Sequence, residues 1–160
     1  MDDKRLRQLT KDLFGSHAVL KVRYRDLDTF KHVNNAVYPT YMEFGRQDYF
    51  YRFLKDLIDW EEKGFILGTN HIVHLAPLFL FDDVHIYTGV GDIGNRSVTF
   101  VNLITNGQGT PVSVGYSKLV AFNFKENKSI PVPEEWKEVF LQKDASLMAF
   151  LKENGAERNL

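Results

Sequence analysis

The stretch Asp28-Thr29-Phe30-Lys31-His32-Val33-Asn34-Asn35-Ala36-Val37-Tyr38-Pro39-Thr40-Tyr41-Met42-Glu43 reads as a polar turn running into a long helix. From its end onward, Tyr38, Tyr41, Met42, Gly45, Tyr49, Phe53 and Leu57 recur at spacings of three and four, the stripe of an amphipathic helix. Asn34 and Asn35 are N-cap candidates, because a short polar side chain can accept from the free N–H groups of a first turn. Pro39 is tolerated only near that turn, since it lacks an N–H. The helix is therefore expected from Ala36 to about Trp60, roughly 35 Å at about 1.5 Å per residue. Gly45 lies on the apolar stripe, where a missing side chain lets another element come close.

The flanks read as strands. Upstream, Leu20, Val22 and Tyr24 alternate with Lys21, Arg23 and Arg25, so a half-buried strand is expected over Val19 to Asp26. Residues 4 to 14 have the spacing of a short helix, with Leu6, Leu9, Leu13 and Phe14 on one side. Downstream, Phe65 to Phe81 is long and apolar, with Pro77 marking a bulge or an edge. Asp82-Asp83 is a turn, and Val84 to Gly91 is the next strand. Asp92 to Asn95 turns into Arg96 to Thr105, and Asn106-Gly107-Gln108-Gly109 is a hairpin signal before Val112 to Phe124. After a turn at Lys125 to Lys128, Pro131 to Pro133 leads into a C-terminal helix with Trp136, Val139 and Phe140 on one face. Strands joined by tight turns make an antiparallel sheet. One face of it must be covered, and the long helix is the element available. The expected class is α+β: an antiparallel sheet wrapped around one central helix, with a C-terminal helix. Pattern alone leaves other α+β arrangements open.

Composition narrows the function classes. The 160 residues suit one domain. We expect it to span 1–160, with an extension at 1–17, a core at 18–124 and a helical tail at 125–160. There is no cysteine, which excludes disulfides, thiolate metal sites and a cysteine nucleophile. A net charge of −1 gives no electrostatic footprint for nucleic acid, so no nucleic-acid partner is expected. No segment has the apolar length of a signal peptide or a membrane span. A cytoplasmic location is the expectation. His71 and His74 are three apart in a strand, hence on opposite faces, and no metal-ligand spacing occurs. No metal and no bound cofactor are expected.

The run from Val22 to Tyr38, followed by Tyr41, Glu43 and Arg46, resembles the hotdog-fold thioesterases that act on acyl-CoA and acyl carrier protein, including the 4-hydroxybenzoyl-CoA thioesterase-like group. The matching pieces are a strand, Asp26-Leu27-Asp28, His32 four residues later, Val33-Asn34-Asn35, Tyr38, and Glu43 with Arg46. Pro77-Leu78, Asp82-Asp83 and Val132-Pro133-Glu134-Glu135 extend the resemblance over roughly residues 18 to 140. It implies the hotdog fold and an acyl-thioester substrate on coenzyme A or acyl carrier protein. It further implies a homodimer or homotetramer, in which the strand around Gly68 to Val73 of one copy faces the helix start of another.

By resemblance Asp28 is the catalytic carboxylate, as general base on water or as nucleophile, and His32 is its helper. General base catalysis contributes roughly 10²- to 10⁴-fold. A helix N-terminus offers free N–H groups and about half a positive charge to a developing oxyanion. The backbone N–H of Asn35 or Ala36 is the candidate donor, and Asn34 and Tyr38 are candidate substrate-binding residues. Plant acyl-carrier-protein thioesterases place an Asn two residues after the Asp, where this chain has Phe30. Bland readings stand beside these. Asp28 and Asp26 suit turns, Asn34 and Asn35 suit caps, and Glu43 with Arg46 suits an ion pair at i, i+3. Glu43 is the second candidate carboxylate, because another hotdog group uses a helical Glu. The alternatives in function are a non-catalytic acyl-CoA-binding protein and an enoyl-thioester hydratase. The hydratases carry D-x-N-P-x-H, and here Asp28 is followed by Thr29-Phe30-Lys31-His32.

Overall fold

The computed structural model describes residues 8–154. The chain runs β1 (Ser16–Lys21), α1 (Tyr38–Phe53), β2 (Lys63–His74), β3 (Asp83–Ile93), β4 (Ser97–Asn106), β5 (Pro111–Asn123), β6 (Lys128–Ser129) and α2 (Glu134–Glu153). The strands form one antiparallel sheet in the order β1-β3-β4-β5-β2, with β6 added to β5. This sheet around α1, with α2 at the C-terminus, is the hotdog fold.

β3, β4 and β5 follow one another through tight turns, as their hairpin signals predict. The strand after α1 does not join them in sequence order: β2 pairs with β5 and β1 with β3, so residues 75–82 must connect opposite halves of the sheet. That connection sends Leu78, fully buried, into a cluster with Val33, Tyr38, Tyr41 and Ile104. The first expected strand is displaced. It starts at Ser16 and stops at Lys21, because Val22 turns away to bond the Asp82 carbonyl. β2 is shorter than the apolar run and ends at His74, before Pro77. α1 ends at Phe53 rather than Trp60, where Leu54 leaves helical geometry and Asp59 closes the next turn through Glu61 N. Of the expected helix over 4–14, a 3₁₀ turn at Lys11–Leu13 is present, and Leu6 lies outside the described residues.

α1 is not the sole cover of the sheet. The first half of α2 places Trp136 and Phe140 against Phe65, Phe100 and Tyr49 on the α1 side. The helix then kinks at Asp144 (φ −124°, ψ 18°), and Leu147 and Leu151 pack with Val101 and Leu103 on the other face. The crossing falls where β1 no longer covers β3. There Gly89 and Gly91 present no side chain, and a Cβ on either would come within 2.8 Å of Leu147 or Leu151. Gly45 does the same for α1, which lies against Thr88, Ile86 and Asn102.

Asp144 fastens that crossing. Its carboxylate accepts from Gly15 N at 3.1 Å, Val90 N at 2.9 Å and the Tyr49 hydroxyl at 2.6 Å. Burial raises the carboxyl above its ordinary value, and those bonds offset the shift only in part. The Tyr49 hydroxyl is itself pushed up by burial and by the Asp144 charge. Asp144→Ala would leave these donors without an acceptor, at about 1–3 kcal/mol for each one that stays dry. The expected loss is about 3 kcal/mol or more of unfolding free energy, read by urea denaturation.

Candidate active site

The site is a loop that closes on itself before α1 begins. A 3₁₀ turn at Tyr24–Asp26 opens it and another at Asn35–Val37 closes it. Between them Leu27 bridges Val33, Asp28 N donates to the His32 carbonyl at 2.9 Å, and Asn34 N donates to the Asp26 carbonyl at 2.9 Å. Lys31 N returns to the Asp28 carbonyl, with Lys31 held at φ 67° in the left-handed region. A non-glycine residue there costs of order 1 kcal/mol, so the surrounding bonds over-determine the turn. The crossover docks on the same loop: Val33 N donates to the Leu78 carbonyl, and His32 bridges Phe79.

Asp28 and His32 come together. One carboxylate oxygen of Asp28 accepts from Phe30 N at 2.8 Å, which is the turn bond that Asp side chains favour. The other lies 3.3 Å from His32 Nδ1. Both side chains are partly open to solvent, 24% for Asp28 and 40% for His32. A water molecule has access to a carboxylate that is already held in place. Phe30, where the plant enzymes have Asn, is 78% exposed and stacks its ring on His32 at 6.0 Å. Tyr24, Phe79 and Phe81 are also exposed, and Phe79 is bridged to His32 through the backbone.

The remaining expected residues divide. Asn34 caps the 3₁₀ turn, with its Oδ1 accepting from Ala36 N at 2.9 Å. The Ala36 N–H is therefore engaged, while the Asn35 N–H has no hydrogen-bond partner among the described residues. Tyr38 is 2% exposed, its ring edge-on to His74 at 4.6 Å, and burial pushes its hydroxyl up to about 12. Glu43 is exposed on α1. Arg46 does not pair with it at the surface. It points inward and donates to Ser117 Oγ at 2.7 Å. His71 and His74 lie on opposite faces, against Tyr116 and Tyr38. Among the described residues no three His, Asp or Glu side chains converge as a metal site.

Asp26, read from the sequence as a turn residue, does end a 3₁₀ turn, and its side chain does more than the turn requires. It is 3% exposed and accepts from Arg23 N, from the Arg23 guanidinium and from the Tyr41 hydroxyl at 2.9 Å. Burial alone would raise its carboxyl, but these bonds together outweigh burial and hold it below the ordinary value. Tyr41 is pushed up in turn, by burial first and then by the bond to Asp26. This pair ties the loop that carries Asp28 to the second turn of α1. Because the folded carboxyl is depressed, its stabilisation is present above the ordinary value of 3.8 and disappears as pH falls through the lower folded value. Tyr41→Phe removes one supporting bond and should move that loss to higher pH, as followed by the Asp26 carboxyl signal in an NMR titration.

The sequence and the fold have counterparts among known proteins. The model of the thioesterase-like superfamily matches residues 22–140. A thioesterase from Thermus thermophilus, solved in complex with coenzyme A and Zn, is 30% identical with a TM-score of 0.73, over 82% of this chain and 96% of that one. A predicted thioesterase from Bacillus stearothermophilus is 26% identical with a TM-score of 0.71, over 79% and 94%. Among curated proteins, the uncharacterized YsmA of Bacillus subtilis is 24% identical over 131 residues, 82% of this chain and 88% of that protein.

Proposed function

From the premise that this chain belongs to the thioesterase-like superfamily, we propose that it hydrolyses an acyl thioester of coenzyme A or of acyl carrier protein to the free acid and the thiol. The observation that carries the reading is the Asp28 carboxylate, partly open to solvent, fixed by Phe30 N and set 3.3 Å from His32 beside the start of α1. The coenzyme A bound to the Thermus relative supports the substrate class.

In this reading Asp28 takes a proton from water as the water oxygen bonds to the thioester carbonyl carbon. The carbonyl oxygen gains negative charge facing the Asn35 N–H at the helix start, where unpaired donors and the helix dipole favour it. The tetrahedral species then collapses, the C–S bond breaks, and the thiolate leaves. A thiolate is a good leaving group, so no strong acid is needed, and the proton held by Asp28 can return to it. Direct attack by Asp28 would instead give an anhydride that water opens. His32 orients the carboxylate in either course. Exposed Phe30, stacked on His32, and Phe79, bridged to the same residue, suit an apolar acyl chain.

The reading includes a second copy of the chain. β2 is an edge strand whose Ile66 and Leu67 are exposed, and such an edge is a template for another strand. The test is release of free thiol from a panel of acyl-CoAs and acyl carrier proteins. Asp28→Asn should lose about 10²-fold or more in kcat while keeping its melting temperature. A variant as active as the native protein would move the role to another carboxylate, with Glu43 first. Turnover in ¹⁸O-labelled water gives a positive sign of direct attack, since the label enters the Asp28 carboxylate only when water opens an anhydride at the Asp28 carbonyl.

A further inference from the structure

Arg46 is 5% exposed, and no carboxylate among the described residues forms an ion pair with it. Among the described residues its one hydrogen bond runs from Nη1 to Ser117 Oγ, 2.7 Å away. A cation taken out of water against a single hydroxyl is poorly compensated. A buried apolar side chain of similar size is often as stabilising as such a cation, so stability alone does not account for it.

The chemistry of the partners gives the arrangement a direction. A guanidinium has donors only, so Ser117 Oγ must accept from Arg46. Its own proton is then free for another acceptor, which is Asn70 Oδ1 at 2.7 Å. This orients the Asn70 amide, with the oxygen inward and Nδ2 away from Ser117. Asn70 is exposed on β2, and its Nδ2 has no acceptor among the described residues. The sheet is built to bring it there. The register of β2 on β5 shifts between Leu67 and Thr69, placing Asn70 beside Ser117 on the α1 side. Without that bulge the alternation running from Phe65 would send Asn70 to the other face. Side chains stand off the plane of a sheet, so a strand added to the edge of β2 would leave the amide unoccupied. Bonds in series polarise one another, so the cation strengthens the outward donor.

We propose that Asn70 is a substrate-binding residue whose Nδ2–H donates to an amide carbonyl of the pantetheine arm, with Arg46 as a positioning residue that acts on it through Ser117. This assignment rests on the thioesterase reading above. An oxygen acceptor is the chemistry that an outward donor backed by a cation selects, and the pantetheine arm supplies such carbonyls on both coenzyme A and carrier protein.

The experiment compares native protein with Asn70→Ala, Asn70→Asp, Ser117→Ala and the Asn70→Ala/Ser117→Ala double variant. It reads kcat and KM for acyl-CoA hydrolysis, calorimetric affinity for coenzyme A and phosphopantetheine, and melting temperature. Asn70→Ala should raise KM and both dissociation constants about five- to tenfold, the worth of one hydrogen bond, with kcat within about twofold. Asn70→Asp, which turns an acceptor outward, should be at least as weak. Ser117→Ala should weaken binding in the same direction, and the double variant should be no worse than Asn70→Ala alone. If Ser117→Ala does not fold, the two variants at exposed Asn70 still decide. Unchanged KM and affinity in an active enzyme would overturn the assignment and leave hydrolysis standing, as would a loss confined to kcat. Native protein that binds coenzyme A through Asn70 without hydrolysing any thioester would support the assignment and sink the hydrolytic reading. Absence of both binding and hydrolysis would overturn both.

Discussion

The bond from the Tyr41 hydroxyl to the Asp26 carboxylate is the joint between the scaffold and the site. Tyr41 is fixed by α1, and α1 by its burial against the sheet. Asp26 is fixed by Arg23 on one side of the loop, while its carbonyl receives Asn34 N on the other. Loop and helix start are thereby held in one frame. Asp28 sits two residues from that joint, in a turn whose other bonds, to His32 and Lys31, are local. A carboxylate placed this way needs no partner chain to hold its position, which separates the ordering of the site from the formation of an assembly. The cost of the strained Lys31 is met by the same bonds.

Much of this was legible in the sequence. The helix showed in the recurrence of Tyr38, Tyr41, Gly45 and Tyr49, and all four are buried. The hairpins showed in Asp92-Ile93-Gly94-Asn95 and Asn106-Gly107-Gln108-Gly109. Asp28 and His32 were legible through a family motif, and they meet in the structure. The two aspartates of Asp26-Leu27-Asp28 were not separable by pattern. Their difference lies in Tyr41, fifteen residues away, which the stripe reads as one more apolar position. Its hydroxyl is the informative part, and periodicity does not see it.

Arg46 was hidden for a related reason. Glu43 and Arg46 have the spacing of a surface ion pair, and nothing local says that the guanidinium turns inward. The decisive partner is Ser117, 71 residues on, and Ser117 reaches Asn70 only because β2 bulges between Leu67 and Thr69. A bulge of one residue reverses which face every later side chain occupies, and a single sequence carries no clear signal for it. The end of α1 at Phe53 and the crossover at 75–82 fall in the same class. Each is set by where the chain must go next, and the preferences of the residues there permit more than one answer.

Among the described residues three charged side chains are buried, and the fold treats each differently. Asp26 is compensated by a cation that stays in water, so the carboxyl remains ionised and its pKa falls. Asp144 is met by neutral donors alone. Burial wins and its pKa rises, yet its geometry of acceptors at the β3 edge has no apolar substitute. Arg46 has only a hydroxyl, and burial lowers its pKa despite the opposing charge of Glu43. Stability explains the first two, since each ends a loop or an edge that would otherwise carry unpaired backbone N–H groups. It does not explain the third. A buried cation is weak evidence for stability, because a well-packed apolar residue of similar volume is often as good or better. What Arg46 adds that methionine would not is direction: donors that can only give, passed through a hydroxyl to an amide at the edge of the sheet.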